Sequence, residues 1–495
     1  MSGRPSAARG RPRAALWVAV FTGPALRTAL LGGLLVSEAA IGSAFALNGG
    51  ELAILVECSI FGGLLAVVLL PTLTKVLGAR ALAIGAAWAT ILFLAAGMAL
   101  APRASGGGGA TIVLFAAALL LGFFVALLSP ITQAMLNKAT AADPDARHSL
   151  QSVWSAGLPA GFIAASVVGG VLVEWTGWWT ALAVPLALAI VAALALLDRG
   201  LAHPDASEAE AAQSSAGEVA ILVLALVAFE IWSTWGSLAS WLEPGVLLAL
   251  LATVAMGALA LGRLRHSENP AISLAPYSVG GFAAATLILL LYQLPTTAEF
   301  EVLLLTELRH VPAEVIGNRT AIGNAGQVVG TILAAGLLFQ RRVRLALVAG
   351  FGLSIVGLAG YVAYPWIDGF AYIAATRTVT GLGGGLLTPV LFVLALNRMP
   401  VPLQLAAGTW LVLANIGGVE LGLALFDAVL EISTNVTGSD LIAYLTVEIL
   451  QLAVCIVTAL IALALVTTGR LDMRDASPPS AGPTAEPAAP KQGAS

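Results

Sequence analysis

The chain has 495 residues, of which 59% are hydrophobic and 10% are charged. Ordinary soluble domains carry about a quarter charged residues. Together with a mean hydropathy of +0.95, this excludes a soluble enzyme, a nucleic-acid-binding protein and a secreted disulfide scaffold. An all-α integral membrane protein remains, in which every backbone group is satisfied inside spanning helices. The net charge of −4 carries little information, and Cys58 and Cys455 lie singly in apolar runs with no metal or bridge spacing.

In chain order, Arg4, Arg9, Arg11 and Arg13 precede an apolar stretch, 14–24, that Gly23, Pro24 and Arg27 interrupt. This stretch reads as a short interfacial lead-in, and the absence of a small-residue cleavage site points to a retained first helix. Apolar runs long enough to cross a bilayer follow near 26–47, 51–72, 81–100, 110–136, 150–174, 178–198, 217–235, 240–262, 279–299, 313–339, 345–364, 369–396, 404–429 and 441–467. The expected organisation is a cytoplasmic tail and lead-in (1–25), an N-terminal six-helix bundle (26–198) and a cytoplasmic linker (199–216). Two accessory helices (217–262), a cytoplasmic loop (263–278), a C-terminal six-helix bundle (279–467) and a disordered cytoplasmic tail (468–495) complete it.

Charge placement tests this count. With the amino terminus inside, the inner loops hold Lys75, Arg80, Lys138, Arg147, Arg199, Arg263, Arg265, Arg341, Arg342, Arg344 and Arg398, and the outer loops only Arg103 and Arg309. This is the positive-inside pattern for an even number of spans with both termini cytoplasmic in the plasma (bacterial inner) membrane. Trp175, Trp178, Trp179, Trp232, Trp235, Trp241 and Trp366 then fall at the outer interface as an aromatic belt. No phosphate-binding G-x-x-x-x-G-K-[ST] loop, metal-ligand cluster or Ser/His/Asp constellation occurs, so neither an enzyme nor a cofactor or metal site is expected.

Several segments are similar to one transporter family. Ser37-Glu38-Ala39-Ala40-Ile41-Gly42-Ser43 follows a pattern like L-D-x-T-x-V-N in the first helix, with Glu38 in the acidic slot. Pro71 to Arg80 follows G-x-L-x-D-R-x-G-R-[RK] at Leu73, Gly78 and Arg80, with Lys75 in the acidic slot. In helix 4 the R-x-x-x-G pattern falls on Ala118 and Gly122, without its arginine. Gly157, Gly161, Ala165 and Gly169 recur every four residues on one face of helix 5, a stripe that permits close helix approach. Arg377 to Gly383 in helix 12 and Ala407 to Gly418 in helix 13 continue the series. Over 26–467 the chain resembles the major facilitator superfamily, in its fourteen-helix drug:proton antiporter branch. That resemblance implies two six-helix bundles plus two extra helices, a switching loop around Leu73, Lys75, Gly78 and Arg80, and helix 5 at the interface between halves.

A charge at the bilayer centre costs a few kcal/mol even on the translocon-insertion scale. The candidates for use are therefore Glu38, Glu57, Arg319, Arg377 and Glu420, with Glu230 and Glu448 read as structural. Glu38 and Arg377 both lie about 12 Å below the outer surface at 1.5 Å per residue, where a carboxylate and a guanidinium can interact. Glu38 is the expected proton carrier. The expected activity is proton-coupled export of a small amphipathic or hydrophobic compound by a monomer, driven by the proton gradient without cofactor. Its partners are the solute, protons and the bilayer, with no nucleic acid. Two other readings fit the same residues: an uncoupled or import-type facilitator, and a transporter-like membrane scaffold.

Overall fold

The computed structural model describes residues 13–47, 49–100, 108–140, 143–201, 216–268, 270–295, 313–367, 369–396 and 399–469. Most of the linker and the C-terminal tail, with Arg4, Arg9, Arg11, Arg103, Arg309 and Arg398, lie outside the described residues. Among the described residues there are fourteen α-helices and no strands. They are α1 (Ala14–Phe45), α2 (Gly49–Leu77), α3 (Ala79–Leu100), α4 (Gly108–Ala139), α5 (Pro144–Thr176), α6 (Ala183–Leu196) and α7 (Ala216–Leu238). Then come α8 (Pro244–His266), α9 (Phe282–Gln293), α10 (Ala313–Phe339), α11 (Val343–Val362), α12 (Phe370–Leu396), α13 (Gln404–Thr437) and α14 (Asp440–Thr467). Each predicted span has its helix. Thirteen are long and apolar enough to cross a membrane, and α9 is a shorter apolar helix.

The start of α1 differs from expectation. Residues 14–24 are its first turns, with Leu16, Ala19 and Val20 in the protein core. Pro24 does not end the helix, because Gly157 of α5 receives its ring: a Cβ there would meet the Pro24 Cγ at 2.9 Å. Arg27 therefore lies inside a continuous helix rather than at a membrane edge.

Glycine contacts show how the bundles are built. A Cβ at Gly161 would collide with the Ala25 carbonyl of α1, and one at Gly122 of α4 with the Ser59 carbonyl of α2. In the second half, Gly381 and Gly385 of α12 meet the carbonyls of Gly323 and Gln327 in α10, and Gly418 of α13 meets the Leu290 carbonyl of α9 at 2.9 Å. The pairs α1–α5 and α2–α4 thus recur as α9–α13 and α10–α12, a repeat of one six-helix plan. Such backbone approach is how helices associate where lipid removes the hydrophobic drive. The α5 stripe consequently packs within its own bundle. Gly157 and Gly161 seat α1, Ala165 lies 3.4 Å from the Cβ position of Gly32, and Gly169 faces Ala181. The half-to-half contacts of α5 use α10 and α12 instead.

The accessory pair α7–α8 is tied to the second bundle. The Trp241 indole N–H donates to Asp427 Oδ2 at 3.1 Å, and its backbone N–H donates to Glu431 Oε2 at 2.9 Å. The Ser240 hydroxyl donates to Glu431 Oε1. At the opposite end of α7, Glu218 accepts from the Ala271 N–H at 3.1 Å. The other side of α7 rests on α2. The tryptophans expected as an aromatic belt at the outer interface differ in exposure. Trp175 and Trp366 are exposed, whereas Trp178, Trp232 and Trp241 are buried, because their rings fill the space left by neighbouring glycines and aromatics.

Gly161→Leu should separate α1 from α5 at an overpacking cost of about 1–3 kcal/mol and lower the melting temperature of the purified protein. Gly170→Ala, at a site with no neighbour within 4 Å, should not. Equal melting temperatures for both would refute the close-approach account.

Candidate functional site

An even number of crossings puts the start of α1 and the end of α14 on one face of the bundle, called here the terminal end. The two halves meet toward this end. The Trp154 ring of α5 packs on the Phe392 ring of α12 with centroids 4.8 Å apart. Leu64 and Val67 of α2 form an apolar cluster with Val412 and Ile416 of α13. Gly408 of α13 lies over Gln133 of α4, whose Cγ is 3.8 Å from the glycine's Cβ position.

Above this seam lies a cross-bundle charge pair. The Glu420 carboxylate of α13 acts electrostatically on the Arg27 guanidinium of α1. Arg27 is about 20 Å and Glu420 about 24 Å from the starts of their helices at 1.5 Å per residue, so both are at mid-depth. Glu420 is buried, and Arg27 is half-buried. Two opposite charges from different halves thus lie within electrostatic range of each other near the middle of the fold.

The expected pairing of Glu38 with Arg377 is not seen. Arg377 is buried, and its Cδ lies 3.3 Å from the Cβ position of Gly323, so it packs on α10 in its own bundle. Glu38 is half-buried, about 16 Å beyond Arg27 along α1, and no ion pair joins it to Arg377. Glu57 and Glu230, expected to play separate parts, are electrostatic neighbours across α2 and α7, and Cys58 lies beside both. The Oε2 of Glu57 is buried without a protein hydrogen-bond partner. Arg319 belongs to α10, but its side chain lies outside the described residues.

The α2–α3 loop is a single tight turn. Gly78 takes a φ of 77°, a conformation that favours glycine, and its N–H returns to the Thr74 carbonyl at 2.9 Å. Leu73 and Lys75 are half-buried in the last turns of α2. Arg80 donates to the Leu197 carbonyl at 3.5 Å, just past the end of α6. That contact stays within the first bundle.

Solved transporters share this arrangement of paired six-helix bundles. A major facilitator superfamily proton:xylose symporter, XylE, bound to 6-bromo-6-deoxy-D-glucose, matches 91% of this chain and 95% of its own, with a TM-score of 0.63 and 14% identity. A variant of the E. coli fucose:proton symporter FucP matches 90% of this chain and 98% of its own, with a TM-score of 0.52 and 13% identity. The chain has the major facilitator fold. No protein-family model matches the sequence, and no curated protein matches it. In this fold α1 and α13 belong to opposite halves, so Arg27 and Glu420 bridge the bundles. Arg27 went unnoticed as a site residue because Gly23 and Pro24 read as breakers. The signal that could have found it was the apolar run continuing on both sides of them.

Charges that sense each other electrostatically make their removal non-additive. Arg27→Met and Glu420→Met should each lower the melting temperature, and the double variant should lose less than the sum of the two. Additive losses would show that the two charges act independently.

Proposed function

We propose that this protein is a secondary active transporter of a small organic solute, working by alternating access of its two bundles. The observation that carries the reading is the Arg27–Glu420 pair, two opposite charges held at mid-depth between halves that meet at one end. Charges are costly there without use, which weighs against a passive scaffold. The positive-inside pattern makes the terminal end cytoplasmic, so the seam of Trp154 and Phe392 closes the inner side.

The energy source in this reading is the proton gradient. Glu38 is its proton carrier, since it stands on the outer side of the Arg27–Glu420 level and forms no salt bridge among the described residues. The direction divides two readings. The motifs of α1, the α2–α3 loop and α13 support the drug:proton antiporter branch and export. The absence of an arginine at Ala118 in α4, and the naming of both solved neighbours as proton symporters, support uptake together with protons. Uptake is the direction we favour.

The test uses proteoliposomes with an imposed pH gradient and a panel of radiolabelled solutes. A substrate should accumulate on the side to which protons flow, and Glu38→Gln should abolish accumulation while retaining exchange of solute at equal pH. Full gradient-driven accumulation by Glu38→Gln would remove Glu38 from the mechanism, and movement opposite to the protons would restore export by antiport.

A further inference from the structure

The inner seam holds a ladder of polar side chains that the central charge pair does not use. Gln133 of α4 and Gln151 of α5 are both buried, and the Gln133 amide N–H donates to Gln151 Oε1 at 2.6 Å. Trp154 donates to the Ser129 carbonyl at 3.2 Å, which fixes the antiparallel register of the two helices. In that register Asn137 lies one turn nearer the terminal end than Gln133, opposite Arg147, and Ser155 lies one turn deeper than Gln151. On the facing bundle, Gly408 covers Gln133, and Gln404, one turn before it, stands at the level of Asn137.

Each of these side chains has buried polar atoms without a protein partner: Gln133 Oε1, Asn137 Nδ2 and Oδ1, Arg147 Nε, Gln151 Nε2, Ser155 Oγ and Gln404 Oε1. Asn137 is 1% exposed. Polar groups so placed are expensive unless something hydrogen-bonds them, and an apolar seam would close more tightly without them. Both donors and acceptors are present along the ladder. Exchange of oxygen and nitrogen in the Gln133 and Gln151 amides leaves one free donor and one free acceptor in either assignment. A hydroxyl both donates and accepts, so a run of hydroxyls matches such a row. A lipophilic cation would leave every one of these groups unsatisfied. Arg147 sits at the rim, where burial holds its guanidinium below its ordinary value.

We infer that Gln133, Asn137, Gln151, Ser155 and Gln404 form a hydrogen-bonding site for a small, neutral, polyhydroxylated solute, lining the inner vestibule once α13 moves off α4. The site rests on the alternating-access reading and narrows it, since it favours a hydroxylated solute over a hydrophobic drug. It lies on the route between the Arg27–Glu420 level and the cytoplasmic side.

The test is equilibrium binding of radiolabelled sorbitol to the purified full-length protein by scintillation proximity, without a proton gradient. Saturable binding is expected, competed by unlabelled sorbitol and not by tetraphenylphosphonium. Asn137→Leu and Gln151→Leu should each weaken it about fivefold or more, as loss of one net hydrogen bond implies. Ser155→Ala, the mildest change, should weaken it measurably while leaving the melting temperature unchanged, and so serves if either leucine variant fails to fold. Absence of saturable binding, or binding that all three variants leave intact, would overturn the assignment. Sorbitol binding in a protein that shows no gradient-driven transport would retain this site and reject the proposed function.

Discussion

Placing the half-buried Arg27 within the field of Glu420 is the constraint on which the architecture turns. A guanidinium at mid-depth is tolerable only beside a counter-charge or in water, and its counter-charge here belongs to the other half of the molecule. The two bundles are therefore coupled through their centre by electrostatics and through the seam at the terminal end by Trp154 on Phe392. Within each bundle the coupling is different in kind. Glycine lets backbones touch in α1–α5, α2–α4 and their repeats, so each half is rigid. Rigid halves joined by a central charge pair and a modest seam are what a rocking mechanism needs.

The accessory helices fit the same division. Two carboxylates on α13, Asp427 and Glu431, hold the Ser240-Trp241 turn, so α7 and α8 travel with the second bundle. The contact of α7 with α2 brings Glu230 within electrostatic range of Glu57 across the boundary between the halves. The extra pair thus extends the boundary between halves into the surrounding lipid.

Much of the fold was legible in the sequence because it depends on length and apolarity, which any spanning helix must have. The fourteen runs became fourteen helices for that reason. What was not legible depended on neighbours far away in the chain. Pro24 reads as a breaker until Gly157 provides room for its ring, and the misplaced boundary put Arg27 in the wrong class. The cation nearest Glu420 could not be inferred from the sequence, since Arg319 and Arg377 also lie within spans and Arg27 read as lying at a membrane edge. The burial of particular tryptophans was not legible for a similar reason: their place in the sequence puts them near an interface, but only Gly236 and Asp427 explain why Trp241 turns inward.

Arg27 and Glu420, coupling the two halves across their centre, should help keep the seam of Trp154 and Phe392 at the terminal end closed. Pulsed electron resonance between spin labels at Val76→Cys and Leu345→Cys, exposed positions at the terminal ends of α2 and α11, measures that closure directly once Cys58 and Cys455 are replaced. With Arg27 and Glu420 intact, the distances should form one population. Glu420→Gln should add a second, longer one as the inner ends part. An unchanged single population in the Glu420→Gln protein would contradict the account.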